Sequence, residues 1–419
     1  MRYFLIPILF ILLLFQLPQK GSADELVTVK LKNSIKNTSE LTLQFTGDYF
    51  SLDPTLTIKE GVVYSLIEKK GQLILNGAGE TLEIGDSFVL LPREYNQNHF
   101  VEVNDWPYLG AFEFIIEEEG NIRPVNQLPL EDYLKGVVPF EVFPTWGIET
   151  LKAQALAART YAVSHLNQMI DDTISYQVYG GYKWMDKTTQ AVKETKGEVL
   201  TYNNKLIEAF YSASNGGITE NNAHVWGGNA VSYYPIKSDP YDPINPWEIK
   251  LHSVQVNLEE IDWDDESGWE EATEKDQELT ASMTRWLQRN GFPGDIKILS
   301  ILDFTVSTEK LNSNRSVTGS IKIEFLQRLY DGTVLLQEYE LNDEKLNKIR
   351  PLIGGTKFKS YLIDTLELKD GVYTMRGKGY GHGVGMSQWG AHIMGQQGKN
   401  YKEILEFYFP GTEITKFVN

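Results

Sequence analysis

Residues 152–162 read KAQALAARTYA and lie within a run from Gly147 to Gln168 that contains no proline. Alanine has the highest helical propensity of all residues, so this run predicts a helix. Small side chains also let other backbone approach the helix closely. Lys152 and Arg159 are seven residues apart and therefore lie on one face. That face is either an ordinary solvated surface or a site that binds an acidic group.

The segment before this helix reads VVPFEVFP, residues 137–144. A short helix is predicted to begin near Leu130 and to end before Pro139, because proline restricts the backbone around it. The apolar neighbours of Glu141 would desolvate its carboxylate and raise its pKa. Such a carboxyl suits general-acid catalysis on a glycosidic oxygen. A structural glutamate that caps the next helix explains the segment equally well.

Two later segments are candidates for ligand contacts. YSASNGGITE, residues 211–220, has small polar side chains and two glycines, which suit either a ligand-binding loop with Ser212 and Asn215 or a plain turn. GKGYGHGVGMSQWGA, residues 377–391, has five alternate glycines around a histidine, which implies close backbone approach. His382 and Gln388 present polar groups there, although a single histidine also serves structural purposes.

The rest of the chain predicts an α+β fold with a β-rich mixed architecture. Residues 24–125 alternate as strands do, with a hairpin at 62–75, and form a β-rich N-terminal region. Residues 126–419 form the second domain, with one prominent alanine-rich helix that carries the site. Within it, residues 248–295 are predicted to be a solvated, acidic, helical insertion, because the spacing of its carboxylates fails to match a calcium loop.

The N-terminus predicts export. Arg2 precedes an apolar run at 4–17, and small residues follow at 21–23. This is the layout of a secretory signal, and the run is shorter than the roughly 20 residues that a spanning helix needs. Residues 1–23 are therefore either a cleaved signal peptide or an N-terminal anchor. Both place the remaining chain at the cell wall or the outer face of the cytoplasmic membrane.

Composition excludes several classes of function. The 419 residues carry a formal net charge of −18, which argues against a nucleic-acid binder. The chain has no cysteine and six scattered histidines, without the paired spacing of a metal-binding helix. We expect neither a metal nor a cofactor.

The motifs together resemble the stage II sporulation protein D / amidase enhancer LytB family. The likeness rests on LPLEDYL (128–134), VPFE (138–141), KAQALAARTYA (152–162), SNGG (214–217) and GYGHGVGMSQWGA (379–391). It covers roughly residues 128–410, with the acidic segment as an insertion.

The resemblance implies a lytic transglycosylase that acts on peptidoglycan glycan strands stripped of stem peptides, in cell-wall remodelling and in engulfment during sporulation. The family's catalytic glutamate matches Glu141, and its functional Lys and Arg match Lys152 and Arg159. These two cations are expected to bind the lactyl carboxylate of stripped muramic acid. Some family members hold zinc near the Gly-Gly loop through Cys and His. Here Ser214 and Asn215 stand in that region, so we expect no zinc.

Two other functions stay open. One is a non-catalytic activator that binds glycan and stimulates a separate cell-wall amidase. The other is a scaffold for a complex of sporulation wall hydrolases. An intact set of Glu141, Lys152 and Arg159 argues against a purely binding role, whereas an uncleaved N-terminal anchor would favour the scaffold.

Overall fold

The computed structural model describes residues 25–53, 55–261 and 268–417. The predicted signal or anchor at residues 1–23 lies outside this range. Within it, no helix is both long and apolar enough to span a membrane. The fold is α+β, as predicted, with several separate sheets and a cluster of helices between them.

Two six-stranded sheets build the N-terminal part. The strands are β1 (Leu26–Lys30), β2 (Glu40–Thr46), β3 (Tyr49–Ser51), β4 (Val63–Lys69), β5 (Gln72–Gly77), β6 (Glu80–Gly85), β7 (Ser87–Pro92), β8 (Phe100–Val103), β9 (Trp106–Leu109), β10 (Ala111–Ile116), β11 (Ile122–Pro129) and β12 (Met169–Asp171). Their orders in the two sheets are β12-β1-β11-β10-β7-β3 and β6-β5-β4-β2-β8-β9. The predicted hairpin is confirmed as β4 and β5, whose pairing closes at Lys69 and Gln72. The predicted division at residue 125 falls inside β11, which pairs with both β1 and β10.

Three helices follow these sheets: α1 (Leu130–Glu141), α2 (Ile148–Val163) and α3 (Asp186–Glu194). The alanine-rich helix is confirmed as α2, although it is shorter than predicted and ends at Val163. It is buried on nearly every side, because its alanines let α1, α3 and other elements pack closely around it.

The prediction that α1 ends before Pro139 is wrong. The helix continues through Pro139 and ends at Glu141. Proline lies in the last turn, where it removes one helical hydrogen bond without interrupting the chain path. The amide of Val142, the first residue after the helix, still donates to the carbonyl of Val138 at 3.2 Å. This ending places Glu141 at the C-terminus of a rigid element.

Short strands and helices surround the other side of α2. They are β13 (Glu198–Tyr202), β14 (Lys205–Leu206), β15 (Tyr211–Ser212), α4 (Asn222–Trp226), β22 (Met386–Ser387), α8 (Gln388–Gln396), α9 (Tyr401–Tyr408) and β23 (Glu413–Lys416). The parallel pair of β15 and β22 joins the two candidate loops, with Tyr211 opposite Met386 and Ser212 opposite Ser387.

Residues 246–378 form a second lobe with its own hydrophobic core. It contains β16 (Pro246–His252), α5 (Gly268–Glu271), α6 (Gln277–Arg289), β17 (Asp295–Val306), β18 (Thr318–Arg328), β19 (Val334–Lys345), α7 (Leu346–Ile353), β20 (Ile363–Lys369) and β21 (Val372–Lys378). The predicted acidic insertion is only part of this lobe. Its helical part is α6, which docks through the buried Met283 and Leu287. Its first residues instead form strand β16, which pairs along its whole length with β21.

Candidate active site

Glu141 occupies the end of α1 and remains partly exposed. Its Oε1 atom accepts a hydrogen bond from the amide of Val178, with 2.7 Å between the two heavy atoms. It does not cap α2, which begins after Gly147 without a side-chain cap. Glu141 therefore does not have the helix-capping role that its segment also suggested.

Burial raises the pKa of Glu141 to about 7, and the hydrogen bonds from the Val178 amide and the Gln388 side chain oppose that rise. Removal of water disfavours the charged form, whereas hydrogen bonds to the carboxylate favour it. The first effect is larger here. A carboxyl with a pKa near neutrality can donate a proton and later accept one, which is the requirement for general acid–base catalysis.

A network of neutral polar groups surrounds this carboxyl. Tyr133 donates to the side-chain oxygen of Gln177 at 3.2 Å, and the Gln177 amide donates to the Tyr211 hydroxyl at 2.9 Å. Burial holds the pKa of the Tyr211 hydroxyl well above its usual value, and the nearby Glu141 adds to the rise. The hydroxyls of Tyr133 and Tyr211 therefore stay protonated and add no negative charge to the site.

Gln388 is the predicted ligand-binding residue that the structure brings to Glu141. It is the first residue of α8, and its side chain is also 3.5 Å from that of Gln154 on α2. The Nε2 atom of Gln154 is buried and has no hydrogen-bond partner within the described part of the chain. Such unsatisfied donors are rare in folded proteins and are frequently found at functional sites.

Arg159 lies inside the structure, away from the surface. Arg159 has a side-chain exposure of 0% and forms a bidentate ion pair with Glu131, at 2.8 and 3.0 Å. Its remaining contacts include the Val192 carbonyl and the Thr195 hydroxyl. This position leaves no surface for a substrate carboxylate. The contacts of Arg159 are those of a structural residue, and its binding of substrate stays a prediction.

Lys152 is also paired. Its ammonium lies 3.0 Å from the Glu149 carboxylate and 2.6 Å from that of Glu194. These pairs raise the pKa of Lys152, the contact with Glu194 being the largest cause. Two carboxylates already balance its charge, so an acidic ligand would have to displace one of them.

Ser212, Asn215 and His382 organise the loops. The Ser212 hydroxyl accepts from the Gly383 amide at 3.3 Å, and Asn215 donates to Asp239 at 2.7 Å. His382 accepts from the Val384 amide at 3.0 Å through Nδ1. Burial is the main cause that lowers the pKa of His382 to about 4, so the ring is neutral at pH 7. None of these contacts points to a ligand.

The Gly-Gly loop does not fit a zinc site. The Ser214 hydroxyl donates to Asp242 at 2.8 Å, and the Asn215 amide group is committed to Asp239. No group of three or more His, Asp or Glu residues suited to a metal ion occurs in residues 25–53, 55–261 and 268–417. Hydroxyl and carboxamide groups are also poor zinc ligands beside Cys and His.

An aromatic surface that the sequence did not reveal adjoins Glu141. Phe143, two residues after it, is 57% exposed, and its ring centroid lies 6.0 Å from that of Trp389. Trp146 packs edge-on against Trp389 at 5.2 Å and stacks on His392 at 4.4 Å. Trp389 is far in sequence from Phe143 and Trp146, so no local motif links all three residues. The exposed face of Phe143 and the partly exposed Trp389 suit the apolar faces of sugar rings.

Comparison with known proteins agrees with these motifs. A family model described as "Stage II sporulation protein" matches residues 118–202. The chain is 38% identical over 371 residues to an amidase enhancer of Bacillus subtilis, covering 88% of this chain and 52% of that protein. It thus spans about half the length of that relative. An uncharacterized protein of Brachyspira hyodysenteriae is 33% identical over 325 residues, covering 75% of this chain and 74% of the relative.

A third relative is the stage II sporulation protein D of Bacillus subtilis, 29% identical over 316 residues, which cover 70% of this chain and 76% of that protein. The family match includes α1, Glu141 and α2, so it falls on the elements that build the candidate site. By these similarities, the chain belongs to the stage II sporulation protein D and amidase enhancer family.

Proposed function

We propose that this protein is a lytic transglycosylase that cleaves peptidoglycan glycan strands stripped of their stem peptides, as part of cell-wall remodelling in sporulation. The observation that carries the proposal is a single desolvated carboxyl, Glu141, at a partly exposed position beside aromatic side chains. Family membership supports an action on the cell wall, while the reaction itself is inferred from this site.

The chemistry needs only one acid–base group. Protonated Glu141 donates its proton to the glycosidic oxygen as the bond between that oxygen and C1 of muramic acid breaks. The leaving sugar departs with a hydroxyl, and positive charge develops at C1. The Glu141 carboxylate then takes the proton of the C6 hydroxyl while O6 bonds to C1. The products are a 1,6-anhydro end and a protonated Glu141, ready for another cycle.

The surroundings of Glu141 favour this route over hydrolysis. Hydrolytic glycosidases use two carboxylates, roughly 5–9.5 Å apart. The causes of the Glu141 pKa shift are burial, the Val178 amide and Gln388, and no second carboxylate is among them within the described residues. The neutral Tyr133, Gln177 and Tyr211 occupy part of the volume around it. Among the described residues, none of the groups that shift the pKa of Glu141 is a second carboxylate that could activate a water molecule.

The direct test is mass spectrometry of peptide-free glycan strands incubated with the full-length protein or with its Glu141→Gln variant. We expect 1,6-anhydro ends with the wild type and none above background with the variant, because glutamine keeps the size of the side chain and removes its exchangeable proton. An exposed-carboxylate control, Glu113→Gln, should behave as the wild type. Reducing ends in place of anhydro ends would contradict the lytic mechanism.

A second candidate is a glycan-binding activator of a cell-wall amidase. It is favoured by the similarity to the amidase enhancer, which extends over 88% of this chain. The same experiment separates the two functions. Binding to strands without any cleavage, together with faster turnover of an added amidase, would support the activator and contradict the enzyme.

A further inference from the structure

A small cleft opens where the second lobe meets the glycine-rich motif, and Trp389 forms part of its wall. The cleft has a volume of about 190 Å³. Its lining residues are Ala213, Asn245, Pro246, Lys359, Tyr380 and Trp389. Pockets for drug-sized ligands measure roughly 300–1,000 Å³, so this cleft suits a smaller group such as one sugar ring. We refer to it as the Lys359 cleft.

Trp389 links the wall of the Lys359 cleft to the candidate active site. This residue follows Gln388, which bonds to Glu141, and its amide donates to the Ala213 carbonyl at 3.0 Å. Its ring also contacts Phe143, two residues beyond Glu141. A polymer that places a bond at Glu141 would therefore have a neighbouring sugar at Trp389.

The walls of the cleft combine rings with an unused hydrogen-bond donor. Trp389 lies on one side, and Tyr380, with 37% of its surface exposed, contributes a second ring. The Nδ2 atom of Asn245 is buried and has no hydrogen-bond partner among the described residues. A buried donor without a partner costs about 1–3 kcal/mol.

Lys359 supplies the only positive charge among the residues that line this cleft. Its ammonium lies 5.8 Å from the centroid of the Tyr380 ring, and it forms no ion pair with the residues that the structure describes. The two cations first expected to bind an acidic substrate differ in this respect. Arg159 is paired with Glu131, and Lys152 is paired with two glutamates.

We propose that the Lys359 cleft is a subsite for one muramic acid residue, whose free lactyl carboxylate binds the Lys359 ammonium while its ring packs against Trp389. This subsite rests on the proposed function and gives it a basis for substrate selection. A stem peptide converts the lactyl carboxylate into a neutral amide and removes the partner of Lys359. The reaction that supplies the substrate is therefore hydrolysis of that amide bond.

The test measures binding of two strand preparations to the Glu141→Gln protein, in which turnover does not interfere. One preparation is peptide-free glycan, and the other is the same glycan with its lactyl carboxylates converted to methylamides. Lys359→Met is introduced in this background, because methionine keeps the length of the side chain without its charge. Lys359→Arg tests rescue by charge. Lys357→Met is the matched control. Lys357 is two residues from Lys359 in sequence, does not line the cleft and pairs with Glu278.

We expect Lys359→Met to raise the dissociation constant for unmodified strands by about tenfold, the loss expected for one charge-assisted hydrogen bond. It should leave the binding of methylamide strands unchanged. Lys359→Arg should recover most of the loss, and Lys357→Met should have no effect on either preparation.

Equal losses on both preparations, no loss on either, or an absence of binding by the parent Glu141→Gln protein would each overturn the subsite. The proposed reaction can fail separately. Suppose that the wild-type protein leaves strands uncleaved while Lys359→Met weakens binding of the unmodified strands alone. That result would contradict the lytic activity and would support the subsite as part of a binding protein.

Discussion

The amide nitrogen of Val178 lies 2.7 Å from Oε1 of Glu141, although 37 residues separate the two along the chain. This hydrogen bond connects the end of α1 to the segment after β12 and fixes the orientation of the carboxyl. It also stabilises the ionised form and so limits the rise that burial imposes on the pKa. The resulting pKa of about 7 keeps both protonation states accessible at neutral pH.

The first prediction concerns the pH dependence of cleavage. The reaction begins with protonated Glu141, so kcat/KM should be level below pH 7 and should fall as pH rises through about 7. The fall should approach tenfold per pH unit, as expected for loss of one proton. Initial rates of anhydro-end formation between pH 5 and 9 measure it. A rate that rises through this range would show that Glu141 must start as a base.

The second prediction concerns stability. The folded protein holds a proton on Glu141 up to about pH 7, whereas the unfolded chain releases it near 4.5. Between these values the folded state binds more protons, so the stability contributed by this group falls as pH rises. Glu141→Gln has no such group. Relative to that of the wild type, the free energy of unfolding of Glu141→Gln should rise by at most roughly 3 kcal/mol between pH 4 and pH 8.

Urea denaturation of both proteins at the two pH values gives this difference directly, because the remaining titrating groups are common to both. A difference that stays constant within about 0.5 kcal/mol would mean that the carboxyl is not desolvated in solution.

The third prediction separates Arg159 from Lys152. Arg159→Met removes one partner of a buried ion pair and leaves Glu131 without its counterion, which typically costs about 3–5 kcal/mol. Lys152→Met removes a pair closer to the surface and should cost less than about 1 kcal/mol. Denaturation midpoints measure both. At temperatures where each variant is folded, Arg159→Met should keep the KM of the wild type.

An Arg159→Met protein with unchanged stability and a raised KM would contradict the structural role of Arg159 and would support its binding of substrate. The conservative Arg159→Lys variant adds a control, because lysine keeps the charge but cannot reproduce the bidentate geometry with Glu131. It should restore only part of the lost stability.

What the sequence could predict depended on how local the determining interactions are. The hairpin at 62–75 and the alanine-rich α2 follow from propensity and pattern within one segment, and both are present. Glu141 was identifiable because its apolar neighbours are adjacent in sequence. The ion-pair partner of a cation depends on the tertiary structure. The sequence around Arg159 therefore gave no sign that its charge would be buried against Glu131, 28 residues earlier.

The same limit explains the missed parts of the site. The cleft joins Asn245, Lys359 and Trp389 from distant segments, and the lobe that carries Lys359 was visible in the sequence only as an acidic insertion. Pro139 misled the prediction for α1, since a proline in the last turn removes one hydrogen bond without ending the helix.

The last prediction concerns the close approach of the two candidate loops. Gly385 has a φ of +72°, and a Cβ atom there would lie 2.1 Å from the Phe210 carbonyl oxygen. That oxygen accepts the Met386 amide at 3.0 Å and so holds β15 against β22, the pair that carries Tyr211 and precedes Gln388. Gly385→Ala should therefore separate these strands and move groups that surround Glu141.

Gly398 provides the matched control, because its φ is +85° and a Cβ atom there would meet nothing within 4 Å. Gly398→Ala should cost only the backbone strain, about 1 kcal/mol. Gly385→Ala should lose about 1–3 kcal/mol more, since the clash is with backbone that cannot rotate away. Urea denaturation compares the two variants, and cleavage assays should show lower activity for Gly385→Ala alone. Equal losses of stability would mean that the contact between Gly385 and Phe210 is not as close in solution as the structure places it.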